Sequence, residues 1–239
     1  MKWLISFFAG LGILIGIVVK RSSANSLVGK IPVNRPALNA WKPIIDALTP
    51  QALDPAFVMK WIEVESGGNP CAVGSFKQRG PDGHPREMGI AQFYNPDDLI
   101  RINLTSDQLR AYCVPESQKL ARALTGEEMR RHAQAAIDLI LSCRSRALHD
   151  LHIVGAAWDL DGRDFYALIK LHHGLPGLPK RGIPAVTKLL GRPPKDFREF
   201  SEALGRVTLD TGTEKYRKAF PSILANAVKT ATVVKRMNP

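Results

Sequence analysis

The residue types best suited to chemistry cluster between Val58 and Tyr94, in the stretch VMKWIEVESGGNPCAVGS, a loop of thirteen residues, and then GIAQFY. Glu65 is the last long side chain of an apolar helix, and Ser66-Gly67-Gly68 ends that helix at once. A carboxyl in this position emerges at a helix C-terminus beside a turn and is easily set into a cleft. The partial negative charge of the helix end and the apolar neighbours both work against its ionised form. That is the condition under which a carboxyl donates a proton near neutral pH. If that form is strained in the cleft, Glu65→Gln should leave stability unchanged or slightly raised. The competing reading is a solvated charge at a helix end. Glycoside cleavage usually employs two carboxylates. Glu63 cannot be the second, because two positions on a helix point about 200° apart. Asp97 and Asp98 sit in a polar turn, as a helix N-cap and first-turn charge.

The combination around Glu65 resembles the lytic transglycosylases and the related goose-type lysozymes. Glu65-Ser66 matches the helix-ending Glu-Ser of that family, Asn69-Pro70 and Ser75 match its following loop, and Gly89-Ile90-Ala91-Gln92 matches its Gly-Leu-Met-Gln turn. A third motif, Ala-Tyr-Asn-Ala-Gly at the end of a later helix, corresponds only loosely to Lys170-Leu171-His172-His173-Gly174. The resemblance implies a lysozyme-like catalytic domain with Glu65 as the single acid/base and Ser75 and Gln92 lining the sugar groove. It also implies that His172 or His173 supplies the contacts made in the family by tyrosine and asparagine; surface histidines at a helix C-terminus are the other reading. The implied reaction cleaves the MurNAc–GlcNAc bond of peptidoglycan and closes the 6-hydroxyl onto the sugar, giving a 1,6-anhydro product with no cofactor. A hydrolytic lysozyme on the same scaffold, and a non-catalytic structural or DNA-binding membrane protein, are the alternatives.

The elements that must position these residues are helices joined by Gly- and Pro-rich turns, with no alternating runs of β-branched residues, so the fold class is all-α. Asp54-Pro55 supplies an N-cap and an N1 proline for the helix carrying Phe57, Val58, Trp61, Ile62 and Val64. Thr125 with Glu128 forms a capping box for a long helix through Ile137, Ile140 and Leu141. Asp161 or Gly162 opens another, which Gly174 ends. The stretch from Pro184 to Arg236 adds at least two amphipathic helices, with Pro221 at a start or kink.

Four regions follow: a transmembrane anchor over 1–21, a linker over 22–36, the catalytic domain over 37–180, and a basic helical extension over 181–239 packed on it or following it. The uncharged run Trp3 to Val19 spans roughly 26 Å as a helix, enough for a thin bilayer. A signal peptide cleaved near Ser22-Ser23-Ala24 is the rival reading. Basic residues after the run favour a cytoplasmic domain, which conflicts with a cell-wall substrate; a domain facing the periplasm or carried in a virion accommodates that substrate. Such a protein suits a bacteriophage opening the wall as it infects, or a secretion apparatus.

The chain has 33 Lys and Arg against 22 Asp and Glu, which points to polyanionic partners. Most of that excess lies beyond residue 180, where a basic helical surface could dock on a polyanion or simply be solvated. Cys113 with Cys143 is the first disulfide to try if the domain is extracytoplasmic, buried free thiols being the alternative. No HExxH, Walker or GxGxxG pattern occurs, and His149 with His152 lacks further ligands, so no metal is expected.

Overall fold

A computed structural model describes residues 36–175, 177–207 and 214–234, with side chains from 221 in the last segment. The expected anchor (1–21) and nearly all of the linker (22–36) lie outside the described residues. No helix among the described residues is long and apolar enough to cross a membrane.

The fold is all-α. After a 3-10 turn at Leu38–Trp41, the helices are α1 (Lys42–Leu48), α2 (Pro55–Ser66), α3 (Asp97–Arg101), α4 (Ser106–Arg110), α5 (Gly126–Ile153), α6 (Arg163–Gly174), α7 (Gly177–Leu190), α8 (Phe197–Leu204) and α9 (Glu214–Ala231). One antiparallel hairpin, β1 (Glu87–Met88) with β2 (Phe93–Tyr94), interrupts them. Two-residue strands are too short to leave a period in the sequence, so this stretch reads there only as a loop and a turn.

The centre is α6, whose residues from Phe165 to His172 are all buried. A helix covered on every side needs neighbours all round, and α5, α7, α8 and α9 pack on it. The 28-residue α5 lays Ala133, Ala136, Ile137, Ile140 and Ala147 into the core and begins at the expected capping box. Thr125 Oγ1 accepts from Glu128 N–H at 3.2 Å, and the Glu128 carboxylate accepts from Thr125 N–H at 2.8 Å.

Helix α2 starts as its sequence dictates, with the Asp54 carboxylate accepting from Ala56 N–H at 2.7 Å. The Asp54 N–H donates to the Tyr166 hydroxyl at 2.9 Å, which ties the start of α2 to α6. Gly67 and Gly68 end α2 in the left-handed region, at φ 61° and 81°, where a side chain would be strained. Trp41 Nε1 then donates to Gly68 O at 3.0 Å.

The position 180/181 falls inside α7, and α9 packs along α6 and against α2, so the described part of the region beyond 181 shares the core. One expectation needs correction. The disulfide joins Cys71 to Cys113, while Cys143 is free and buried on α5. Cys143 lies on the core face of α5; Cys71 and Cys113 instead meet across a small cluster with Tyr112 and Leu120.

Candidate functional site

The site is assembled from four segments. Helix α2 ends at Glu65-Ser66, and the Ser66 hydroxyl bridges outward: it donates to Ile90 O at 2.8 Å and accepts from Gly68 N–H at 3.1 Å. One serine thereby joins the end of α2 to the tip of the β1–β2 hairpin. The buried Asn69 side chain braces the loop that follows, accepting from Cys71 N–H and donating to Gln118 O, both at 3.0 Å. Ser66 and Asn69 are structural stitches that hold the catalytic candidates in place.

The hairpin pairs Glu87 with Tyr94, and directly opposed residues share a face. Gln92, in the turn, is buried and adopts φ 54°, a left-handed conformation that costs a non-glycine residue and marks functional sites. Its amide Nε2 donates to Gly89 O at 3.0 Å. From α6 come Lys170, His173 and Gly174, one helical turn apart and therefore on one face. From α9 come Ile223, Asn226 and Ala227. Together with Glu65, Glu87, Gln92 and Tyr94 these residues line a cavity of about 200 Å³.

The electrostatics differ from the apolar setting expected for Glu65. The Lys170 ammonium contacts Glu65 Oε1, and both groups are largely withdrawn from water, at 5% and 17% side-chain exposure. The same ammonium lies 4.1 Å from the centroid of the Trp61 ring. A cation so placed fixes the position of its partner carboxylate through a charge-assisted contact. Glu87 is the second carboxyl of the cavity. Burial pushes it above the ordinary glutamate value, the negative charge of Glu65 adds to this, and Arg86 partly offsets both.

Among the residues singled out from sequence, Glu65, Gln92 and His173 reach this cavity. Ser75 does not line it; its hydroxyl accepts from Lys77 N–H at 3.2 Å, a local turn. His172 points the other way, with Nε2 3.4 Å from Asp150 Oδ2 in the core. One residue along a helix turns the side chain by about 100°, so two adjacent histidines cannot both face Glu65. Burial holds His172 down to about 3 and His173 well below the histidine value, with Arg146 acting on both and Lys170 on His173. His173 therefore stands in the cavity as a neutral ring, tilted against Trp61 at 5.1 Å. Its Nδ1 is 3.8 Å from Asp98 Oδ2, and Asp98 accepts from Tyr94 N–H at 3.0 Å. Glu63 faces outward and pairs with Lys60. Asp97 and Asp98 both lie in the first turn of α3, whose N-cap position is Pro96.

Sequence reading missed Lys170, Glu87, Tyr94 and Asn226. Lys170 had a signal: it is a lone cation in the apolar run FYALIKL, one turn before Gly174. Glu87 lies two residues before Gly89, outside the motif used to locate the turn.

A larger groove, of about 820 Å³, runs between α8 and α9 and is lined by Phe197, Leu204, Leu224 and Val228. Its titratable side chains, Glu202 and Lys229, are exposed, so nothing there is desolvated for chemistry. Among the described residues no group of three His, Cys, Asp or Glu is placed to hold a metal ion. No protein-family model, no curated protein and no solved structure matches the chain.

Proposed function

We propose that this chain cleaves the glycan strands of peptidoglycan between MurNAc and GlcNAc, as a lysozyme-like lytic transglycosylase in which Glu65 is an indispensable carboxylate. One observation carries the reading. Glu65-Ser66, Gly89 to Gln92 and Lys170 to Gly174, the segments singled out by resemblance, converge on one cavity, although 105 residues separate Glu65 from Lys170. Two desolvated carboxyls, one of them paired with a cation, framed by Gln92, Tyr94 and Asn226 suit a neutral, hydroxyl-rich substrate that passes through a positively charged transition state. A cavity of about 200 Å³ fits the reacting bond, and the remainder of the strand would lie outside it.

The Cys71–Cys113 bond is in keeping with an oxidising compartment and so with action on the wall. The run from Trp3 to Val19, read as an anchor, would hold the enzyme at the membrane or in a virion, during phage infection or assembly of a secretion apparatus. A hydrolytic outcome is the second reading, and Glu87 favours it, because a second carboxyl beside Glu65 could serve a water as well as a sugar hydroxyl.

The test is a zymogram on purified peptidoglycan with mass spectrometry of the products. Wild type should release muropeptides, and folded Glu65→Gln should be slower by at least about 10²-fold. Anhydro ends identify the transglycosylase and reducing ends the lysozyme. Wild-type lysis by a folded Glu65→Gln protein would overturn the reading.

A further inference from the structure

The two carboxyls of the cavity have opposite surroundings. Glu65 is in contact with the Lys170 ammonium, which is itself held against Trp61 and withdrawn from water. Among the described residues no group donates a hydrogen bond to the Glu87 carboxyl, and no cation contacts it. It projects from β1 toward Gly74, where a Cβ would collide with its Oε2; the missing side chain at position 74 leaves room for this carboxyl. Glu65, Lys170, Tyr94 and the neutral His173 line the same cavity, with Arg86 stacked over the Tyr94 ring at 4.7 Å.

Building on the glycan-cleaving function proposed above, we infer that Glu87 is the proton donor of the reaction and that Glu65 is the fixed carboxylate that stabilises positive charge on the sugar. This reverses the role that the family resemblance gives Glu65. The principle is general: where two titratable groups in one site have environments that drive their protonation apart, the acid and the base are thereby assigned. Burial and the charge of Glu65 raise Glu87 above the ordinary glutamate value, against a smaller opposing effect of Arg86, and this agrees with the geometric assignment.

The step balances without a co-reactant beyond water. The Glu87 proton passes to the glycosidic oxygen as the C1–O bond breaks, and the bonding electron pair leaves with that oxygen as the 4-hydroxyl of the next sugar. The oxocarbenium-like C1 is stabilised by the Glu65 carboxylate, which the contact with Lys170 holds in position. A 6-hydroxyl or a water then bonds to C1, and its proton returns to Glu87.

The assignment is tested by separating proton donation from charge stabilisation. A dinitrophenyl glycoside of a chitooligosaccharide has a leaving group that departs without protonation. Glu87→Gln should lower peptidoglycan cleavage by about 10² to 10⁴-fold yet change dinitrophenyl release by less than about 10-fold, whereas Glu65→Gln should lower both by at least about 10²-fold. Equal losses on the two substrates in Glu87→Gln, or no loss on either, would overturn the inference while leaving glycan cleavage by the wild type intact. Absence of any cleavage by the wild type would instead remove the function proposed above, and the inference with it. Carboxyl ¹³C titration of the wild type needs no variant to fold: Glu87 should titrate above the ordinary glutamate value, and a Glu87 that titrates at or below that value would refute the assignment.

Discussion

Lys170→Met isolates the contact on which the electrostatics of the site turn. In the folded protein the Lys170 ammonium is 5% exposed and contacts a Glu65 carboxylate that is 17% exposed. Removing one partner of a buried ion pair costs about 3–5 kcal/mol, because the other charge is left desolvated and unpaired. Glu65 keeps some access to water at the cavity mouth, so the lower end of that range applies, about 3 kcal/mol. Loss of the ammonium–indole contact with Trp61 lies within the same figure, since such contacts contribute about 0.5–2 kcal/mol. For a domain of this size about 1 kcal/mol moves the melting temperature by 2–4 °C, so Lys170→Met should melt about 6–12 °C lower. Glu65→Gln should also destabilise, by about 2 kcal/mol, since its amide oxygen still accepts from the ammonium but no longer offsets its charge. This is opposite in sign to the neutral or stabilising effect that the sequence suggested for a carboxyl in apolar surroundings. The double variant should cost less than the sum of the singles by about 2 kcal/mol, the coupling expected for groups in contact. Chemical denaturation of the four proteins gives the cycle directly. Coupling below about 0.5 kcal/mol, the scatter of independent sites, would refute the pair as an energetic unit.

Three further outcomes follow. His132 is fully buried between the edges of Trp41 and Tyr112, and burial holds it down to about 4; the unfolded chain therefore binds the extra proton first as pH falls below about 6.5, and stability should drop between about pH 6.5 and 4. His132→Leu should flatten that slope in thermal melts recorded across the window. The Cys71–Cys113 bond closes a separation of 42 residues, so Cys71→Ser or full reduction should cost about 4 kcal/mol by loop-closure entropy, read as a lowered denaturation midpoint. A chain beginning at Asn34 retains Trp41 and Ile45, the first core residues, and should remain soluble and unfold in one cooperative transition; aggregation or a broad transition would show that the preceding residues are needed for folding.

Much of the scaffold was legible because its signals are local. Asp54-Pro55, Thr125 with Glu128, and Gly67-Gly68 act within one helical turn, so a short window contains both the cause and the element it starts or stops. Glu65 was legible for the same reason, as the last long residue before a glycine stop. The rest of the site depends on which face of a helix or hairpin meets which neighbour, and this is settled by distant packing. His172 and His173 are indistinguishable as letters, yet about 100° of helical rotation sends one to Asp150 and the other to the cavity. Lys170 could be found only by counting back one turn from Gly174. The pairing of Cys113 was not legible either, because it depends on which helix face turns inward: the core face of α5 claims Cys143 and leaves Cys71 as the partner.

Distant packing also sets the limit of the functional unit. Glu65, Gln92 and Lys170 come from the end of α2, the hairpin turn and α6, but a cavity bounded by those three segments would be open on the side where α9 now lies. Ile223, Asn226 and Ala227 close that side, and Ala227, Ala231 and Val234 are buried in the common core. This helix belongs to a region with 13 Lys and Arg against 5 Asp and Glu from Lys180 onward. Its inner face desolvates the carboxyls, which strengthens every charge interaction within the cavity. Under the function proposed above, the positive charge of its region would favour the approach of a polymer bearing carboxylates, such as the peptide-substituted wall. The unit that could perform the proposed chemistry therefore extends from the Trp41 region to Val234, and the basic region beyond α6 forms part of the site.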